Sequence, residues 1–154
     1  MEKTNVMRLL DQAKIAYTPH EYDNTVTNGE EVARLLGEDP DSCFKTLVTV
    51  SEKREHFVFV VPVSATLSLK KAAKAVGAKS IEMIKQKELL PLTGYVHGGC
   101  SPVGMKKPFP TVVDETAQLF DAVCVSAGKV GFQVELSPTA LAIYVGASFA
   151  DITE

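Results

Sequence analysis

The sequence predicts an α+β fold, a bent mixed β-sheet or partly open barrel of about seven strands with helices at its periphery. Three observations carry this expectation. Short β-branched runs recur along all 154 residues, and helical stretches fall between them without strict alternation. The composition, 45% hydrophobic and 23% charged, is that of a globular chain. A doubly wound parallel sheet is therefore not expected. The length fits a single domain over residues 1–154 with a core large enough to fold without a metal or a disulfide.

The elements follow in order from hydrophobic period and punctuation. Val6, Leu9, Leu10 and Ala13 form one stripe of an amphipathic helix. Ile15 to Tyr22 reads as a strand that Pro19 confines to an edge or a bulge. Thr27-Asn28-Gly29-Glu30 fits a Thr-x-x-Glu capping box for a helix carrying Val32, Leu35 and Leu36, and Gly37 suits the left-handed residue beyond its end. Phe44 to Val50 alternates two faces, and His56 to Val63 is apolar enough for a central strand. The polar Ser51–Glu55 turn makes these two a hairpin.

Ser68 caps a helix with Leu69, Ala72, Ala73 and Val76 inward, stopped by Gly77. Ile81 to Leu90 is expected to be a further helix ended by Pro91, and Gly94 to His97 a short strand. Thr111–Asp114 and Ala122–Ser126 are strands flanking a short helix at Glu115–Phe120, and Phe132–Leu136 is another strand. Ser137-Pro138 opens a last helix with Ala140, Leu141, Tyr144 and Val145 inward, and Ala150–Thr153 closes as an edge strand.

Charge is distributed unevenly. Between Ala65 and Pro110 eight lysines (Lys70, Lys71, Lys74, Lys79, Lys85, Lys87, Lys106, Lys107) face only Glu82 and Glu88, so this window is +6 in a chain of net charge −3. Such a window suits a phosphate-bearing partner, RNA or nucleotide, and equally the solvated face of a helix. The longest strongly apolar stretch, Phe57 to Val63, is far shorter than the ~20 residues of a membrane-spanning helix. The first residues lack the apolar core of a secretory leader, and the expected location is cytoplasmic.

Cys43, Cys100 and Cys124 are read as reduced thiols, being odd in number and without Cys-x-x-Cys spacing. His20, His56 and His97 form no His-x-x-x-His pair, so no metal site is expected. Serine-hydrolase elbows, Walker loops and dinucleotide fingerprints are absent from the sequence.

Two local features bear on chemistry. Lys45, in Phe44-Lys45-Thr46, stands where an apolar strand begins. Its stem can snorkel to water, or the strand can fix its ammonium at a pocket mouth to meet a phosphate or a developing oxyanion. The run Gly98-Gly99-Cys100-Ser101-Pro102 can be a tight turn or a nest of backbone N–H groups that holds an oxygen anion. Ser126-Ala127-Gly128-Lys129 reads as a similar turn on a neighbouring strand end.

These residues, with the blocks Phe44-Lys45-Thr46-Leu47-Val48, Leu69–Lys74, Gly94–Gly104 and Val125–Gly131 in this order, resemble the YbaK/EbsC family of aminoacyl-tRNA deacylases. That family is related to the editing domain inserted in bacterial prolyl-tRNA synthetases. The resemblance runs from His20 to Ile152 and is strongest to the YbaK branch, which hydrolyses cysteine wrongly attached to proline tRNA.

The resemblance implies that fold and that reaction, with no cofactor and no metal. It implies mischarged tRNA(Pro) as substrate, tRNA(Cys) as a further acceptor, and transient association with prolyl-tRNA synthetase. It assigns Lys45 the catalytic place, and it assigns the substrate pocket to Tyr22, Thr46, Gly98, Gly99, Cys100, Ser101, Pro102, Ser126 and Gly128. The substrate's own thiol would attack its ester, so that no protein nucleophile is needed. Cys100 stands where the family would carry an aliphatic residue, and Cys43 adjoins the Phe44-Lys45 pair. Either thiol is a candidate nucleophile, and His97 a candidate base. A deacylase for another small amino acid such as alanine and a non-catalytic tRNA- or synthetase-binding module stand as alternatives.

Overall fold

The computed structural model describes residues 1–154. In chain order the elements are α1 (Asn5–Gln12), β1 (Tyr17–Glu21), α2 (Gly29–Leu36), β2 (Phe44–Ser51), β3 (His56–Pro62), α3 (Leu69–Val76) and β4 (Ile81–Met83). There follow α4 (Gln86–Thr93), β5 (Thr111–Asp114), a 3-10 turn (Glu115–Leu119), β6 (Val123–Ser126), β7 (Phe132–Leu136), α5 (Pro138–Val145) and β8 (Ser148–Ala150). No helix is long and apolar enough to cross a membrane.

The strands form two sheets rather than one closed barrel. One has the order β4-β2-β3-β5-β8 and the other β1-β7-β6. The β2–β3 hairpin pairs Phe44 with Pro62 through Val50 with His56, while β3–β5 and β5–β8 are parallel. A parallel bridge between Cys43 and Cys124 joins the sheets, reinforced by the Cys124 amide donating to the Ser42 carbonyl at 2.9 Å.

β3 explains its own composition. As the central strand it sends Val58 and Val60 into the main core and Phe59 and Val61 into a second one. Both faces are dry, so the run is apolar throughout. The main core lies between the sheets: Phe44, Val48, Val58 and Val60 meet Val123, Val125, Val134 and Leu136, with Val6, Met7 and Leu10 of α1 and Leu141 of α5 against them. In the second core, Ala72 and Ala73 of α3 meet Phe59, Val61, Ile81 and Val112. Pro19 lies on β1, an edge strand paired only with β7, where a missing N–H costs no ladder bond.

Several boundaries differ from the sequence expectation, each for a local reason. Ile81–Leu90 is not one helix. Ile81–Met83 pairs with Thr49–Ser51 as an edge strand, its entry turn pinned by the Lys79 and Ser80 amides donating to Glu52 Oε1. The helix α4 then runs past Pro91, because proline removes one donor only and Thr93 Oγ1 donates to the Leu89 carbonyl at 2.7 Å beyond it. Gly94–His97 is not a strand; Gly94 ends α4 in the left-handed conformation and the Tyr95 hydroxyl donates to the Val103 carbonyl. With Gly94–His97 lost and β4 gained, the structure has eight strands where about seven were expected.

The α2 cap is Asn28, whose Oδ1 accepts from the Glu30 and Glu31 amides, so Thr27 is released from the capping role. Ala13, Leu35 and Tyr144 face solvent, and Met7, Ala33 and Ala142 take inward places. The closing strand is Ser148–Ala150 on β5, with Thr153 making a separate bridge to Leu67.

Asn28→Ala is expected to lower the unfolding free energy by about 1 kcal/mol, and Thr27→Ala by less than about 0.5 kcal/mol. Urea denaturation of the two variants measures the difference; equal losses would return the cap to Thr27.

Candidate functional site

A cavity of about 310 Å³ lies over the joint between the sheets. The start of β2 supplies Phe44, Lys45, Thr46 and Leu47, β6 supplies Ser126, and β7 supplies Gln133. Tyr22 enters just after β1, while the approach to α2 contributes Thr27, Asn28, Gly29 and Glu30. Leu89 of α4 and the loop residues His97, Gly98 and Cys100 form the remaining wall.

Lys45 is half-buried, and its ammonium makes no ion pair or hydrogen bond; the lysines that hold carboxylates are Lys3, Lys71 and Lys129. An uncommitted cation on a strand is available to an anion. On the opposite loop Gly98 sits at φ +87°, and a Cβ there would meet Thr27 Cβ at 2.9 Å. Only glycine lets this loop lie against Thr27 in that conformation. The Gly99 amide is consumed by the Val96 carbonyl at 3.0 Å, whereas the Gly98 and Cys100 amides donate to no group of the protein.

Two buried polar atoms in the same cavity also lack partners, Thr46 Oγ1 and Gln133 Oε1. Gln133 is only 6% exposed, and an unpaired acceptor at such a position is costly unless a ligand's donor meets it. Burial pushes the Tyr22 phenol above its ordinary value, against a smaller opposite effect from the Gly131 backbone. It therefore stays a neutral hydroxyl at physiological pH.

The expected residues divide. Lys45, Tyr22, Thr46, Gly98, Cys100 and Ser126 come together around the cavity. Gly99, Ser101, Pro102 and Gly128 do not line it. A Cβ on Gly99 would face the Lys129–Val130 backbone; Ser101 is fully buried, with Oγ accepting from the Val103 amide; and Pro102 is buried behind the wall. Gly128 donates to Ser126 Oγ at 3.1 Å but faces a different depression beside Tyr95 and Val6. Of the Gly98–Pro102 run, only Gly98 and Cys100 line the cavity. Thr27, Glu30, Leu89 and Gln133 were not foreseen. Gln133 carries no motif, since one polar residue on the buried face of a strand is its only sequence signal.

The nucleophile candidates fare poorly. Burial pushes the Cys100 thiol up to about 12, against a smaller lowering by Thr93. At neutral pH its thiolate fraction is on the order of 10⁻⁵. Cys43 and Cys124 sit against Glu38, with Sγ donating to Oε1 at 3.3 Å and to Oε2 at 3.5 Å. Cys124 is pushed well above the ordinary thiol range by its hydrogen bond with Cys43, by burial and by the Glu38 and Glu135 carboxylates. His97 lines the cavity from an exposed position without a carboxylate partner.

Comparison with known proteins places this site in context. Residues 23–143 match the sequence profile of the aminoacyl-tRNA editing domain. The protein EbsC of Enterococcus faecalis, provisionally assigned as a Cys-tRNA(Pro)/Cys-tRNA(Cys) deacylase, is 47% identical over 154 residues, covering 99% of this chain and 94% of that protein. A proline–tRNA ligase of Shouchella clausii is 29% identical over 103 residues, 67% of this chain and 18% of the ligase. The crystal structure of a protein provisionally assigned as a trans-editing enzyme for prolyl-tRNA synthetase superposes with a TM-score of 0.85 at 26% identity, covering 100% of this chain and 99% of that one.

The buried neutral groups make stability fall at high pH. Cys100 rises from an ordinary 9.0 to about 12, and burial raises Tyr95 from 10.0 to about 12. A raised folded-state value gives stability that is complete below the unfolded value and lost as pH climbs to the folded one. The unfolding free energy should therefore begin to fall near pH 9 and continue downward to about pH 12. Cys100→Ala should remove a slope of about 1.4 kcal/mol per pH unit between these limits. Denaturant titrations across that range measure it, and an unchanged slope would contradict the burial argument.

Proposed function

The chain belongs to the aminoacyl-tRNA editing domain family, and from that premise we propose that it removes cysteine from mischarged tRNA(Pro), with tRNA(Cys) as a second acceptor. Its reaction class is hydrolysis of aminoacyl-tRNA esters. The observation that carries the finer reading is the convergence of an unpaired Lys45 with the uncommitted Gly98 and Cys100 amides around one cavity.

An aminoacyl ester is already activated, so a site of this kind works by positioning and by stabilising charge on the carbonyl oxygen. Lys45 approaches the ester and the 3′-terminal adenosine, and the Gly98 and Cys100 amides meet the oxyanion. Tyr22 donates from its neutral hydroxyl. Gln133 Oε1 accepts from the α-ammonium, whose charge Glu30 balances from the cavity rim. Thr46 Oγ1 and Ser126 complete the polar lining.

With Cys100 held as a thiol and His97 unpartnered, attack falls to the substrate. The cysteine sulfur bonds to its own carbonyl carbon, the ester C–O bond breaks, and the thiol proton ends on the ribose oxygen. This frees the tRNA and leaves a cyclic thioester for water to open. Editing by a separate protein is needed because a synthetase pocket built for proline discriminates weakly against a similarly small amino acid.

Four lysines stand beside the cavity wall that α4 provides. Lys85 and Lys87 flank its start, and the Lys106 amide bonds the Thr93 carbonyl at its end, holding Lys106 and Lys107 there. These suit the phosphates of an acceptor stem, whereas Lys71 is engaged by Asp151 and the Thr153 carbonyl. Binding to prolyl-tRNA synthetase would supply tRNA identity that a domain of this size need not read.

Deacylation of a panel of charged tRNAs, with and without the synthetase, tests the reading. Cys-tRNA(Pro) should turn over fastest, and Lys45→Ala should lower kcat/KM by about 10²–10³. Replacing the substrate thiol by a hydroxyl should abolish thiol-assisted release and leave only slow direct hydrolysis. Equal rates for wild type and Lys45→Ala would remove Lys45 from the mechanism, and preference for Ala-tRNA(Pro) would reassign the substrate. Saturable binding without turnover of any charged tRNA would leave a binding module. Separately, Lys106→Ala/Lys107→Ala should weaken tRNA affinity and reduce the slope of log affinity against log salt by about 1–2. An unchanged slope would place the acceptor stem elsewhere.

A further inference from the structure

One cluster of reactive side chains, which touches the cavity only through Cys43, has no part in the proposed reaction. Glu38, Cys43 and Cys124 place a carboxylate oxygen and two sulfurs within 4.8 Å of one another. They come from three segments: the loop after α2, the residue before β2, and β6. His20 of β1 adjoins them, with Nε2 at 3.7 Å from Glu38 Oε2 and 2.8 Å from Glu135 Oε1.

The electrostatics of this cluster are unbalanced. The Glu38 side chain is only 13% exposed, and its sole ion-pair partner is the His20 ring, with no lysine or arginine in contact. Glu135 adds a second carboxylate, again paired only with His20. A largely buried carboxylate among two soft sulfurs and an imidazole is an arrangement that a cation would complete.

We propose that Glu38, Cys43, Cys124 and His20 form a binding site for a thiophilic divalent cation of the zinc class. A tetrahedral zinc with Zn–S of about 2.3 Å and Zn–O of about 2.1 Å has S···O edges of ~3.6 Å. The Cys43 sulfur lies 3.3 Å from Glu38 Oε1 and the Cys124 sulfur 3.5 Å from Glu38 Oε2, each close to that edge but on different oxygens, so the carboxylate turns to offer one oxygen to the cation. Glu38, Cys43 and Cys124 fill three positions. His20 takes the fourth by turning Nε2 from Glu135 Oε1 to the cation, giving up that 2.8 Å contact. Binding is balanced by loss of the two thiol protons to solvent, M²⁺ replacing them between the sulfurs.

The placement has a consequence. Cys43 and Cys124 are the bridge that joins the two sheets, and Cys43 also lines the cavity two residues before Lys45. A bound cation would fasten the sheets at their joint and fix the start of the strand that carries Lys45.

Cadmium is the probe, titrated into the full chain held reduced by a phosphine and freed of metal by chelation. The expected result is one equivalent bound per chain, with a thiolate-to-cadmium charge-transfer band, release of about two protons, and displacement by zinc. The band should fall by about half or more in Cys43→Ser and in Cys124→Ser, vanish in Cys43→Ser/Cys124→Ser and persist in Cys100→Ser. Glu38→Gln should weaken cadmium affinity at least tenfold while circular dichroism stays that of the wild type. Zinc should raise the thermal midpoint of the wild type by several degrees and leave that of Cys43→Ser/Cys124→Ser unchanged. Absence of the band or of proton release in the folded wild type overturns the proposal, whatever the variants do. So does a band that survives in folded Cys43→Ser/Cys124→Ser. Neither result bears on deacylation by Lys45, so failure here is distinguishable from failure of the editing assignment.

Discussion

The joint between the two sheets is the constraint from which the rest follows. The five-stranded and three-stranded sheets touch as backbone at one place, where Cys43 and Cys124 form a parallel bridge and the Cys124 amide bonds Ser42. The hydrophobic core fills the space between the sheets, with Phe44 and Val48 meeting Val125 and Val134. Over the joint the packing stops and the cavity opens, walled by both sheets, the approach to α2, and the loop at Gly98. Strand register then decides what faces it. Ser126 and Gln133 are cross-strand partners, so one ladder position delivers two polar groups together.

A site of this kind works by what it leaves unpaired. The Lys45 ammonium, the Gly98 and Cys100 amides, Thr46 Oγ1 and Gln133 Oε1 are satisfied by nothing in the protein. Burying such groups without partners is unfavourable, and the fold tolerates it because the surrounding hydrogen bonds and packing over-determine the loops. The neighbouring Gly99 amide and Ser101 Oγ, bonded to the Val96 carbonyl and the Val103 amide, serve that support. The same logic separates the cysteines: Cys100 is held neutral in an apolar wall, whereas Cys43 and Cys124 share a carboxylate.

Much of the fold was legible where the signal was local. The Phe44–Val63 hairpin, the caps at Ser68 and Ser137, and the left-handed glycines at Gly37 and Gly77 each follow from residues within a few positions of one another. Expectations failed where the deciding partner was distant. Ile81–Met83 is a strand because β2 offers it an edge, and its three residues are too few to declare a period. Tyr144 alternates correctly for a helix yet faces solvent, since the core beneath α5 is filled by Leu141 and Ala142.

The site divides along the same line. From the sequence alone came the mixed architecture, the lysine at a strand start, the glycine loop and, through their order along the chain, the family they resemble. Only tertiary structure decided that Gly98 and Cys100 face the cavity while Gly99, Ser101 and Gly128 do not, that Gln133 and Glu30 join it, and that Glu38, Cys43 and Cys124 meet. The physical reason is range. Caps, turns and hydrophobic period are set by bonds between near neighbours, whereas a cavity and its unpaired groups exist only after residues such as Cys43 and Cys124 are brought side by side by sheet pairing.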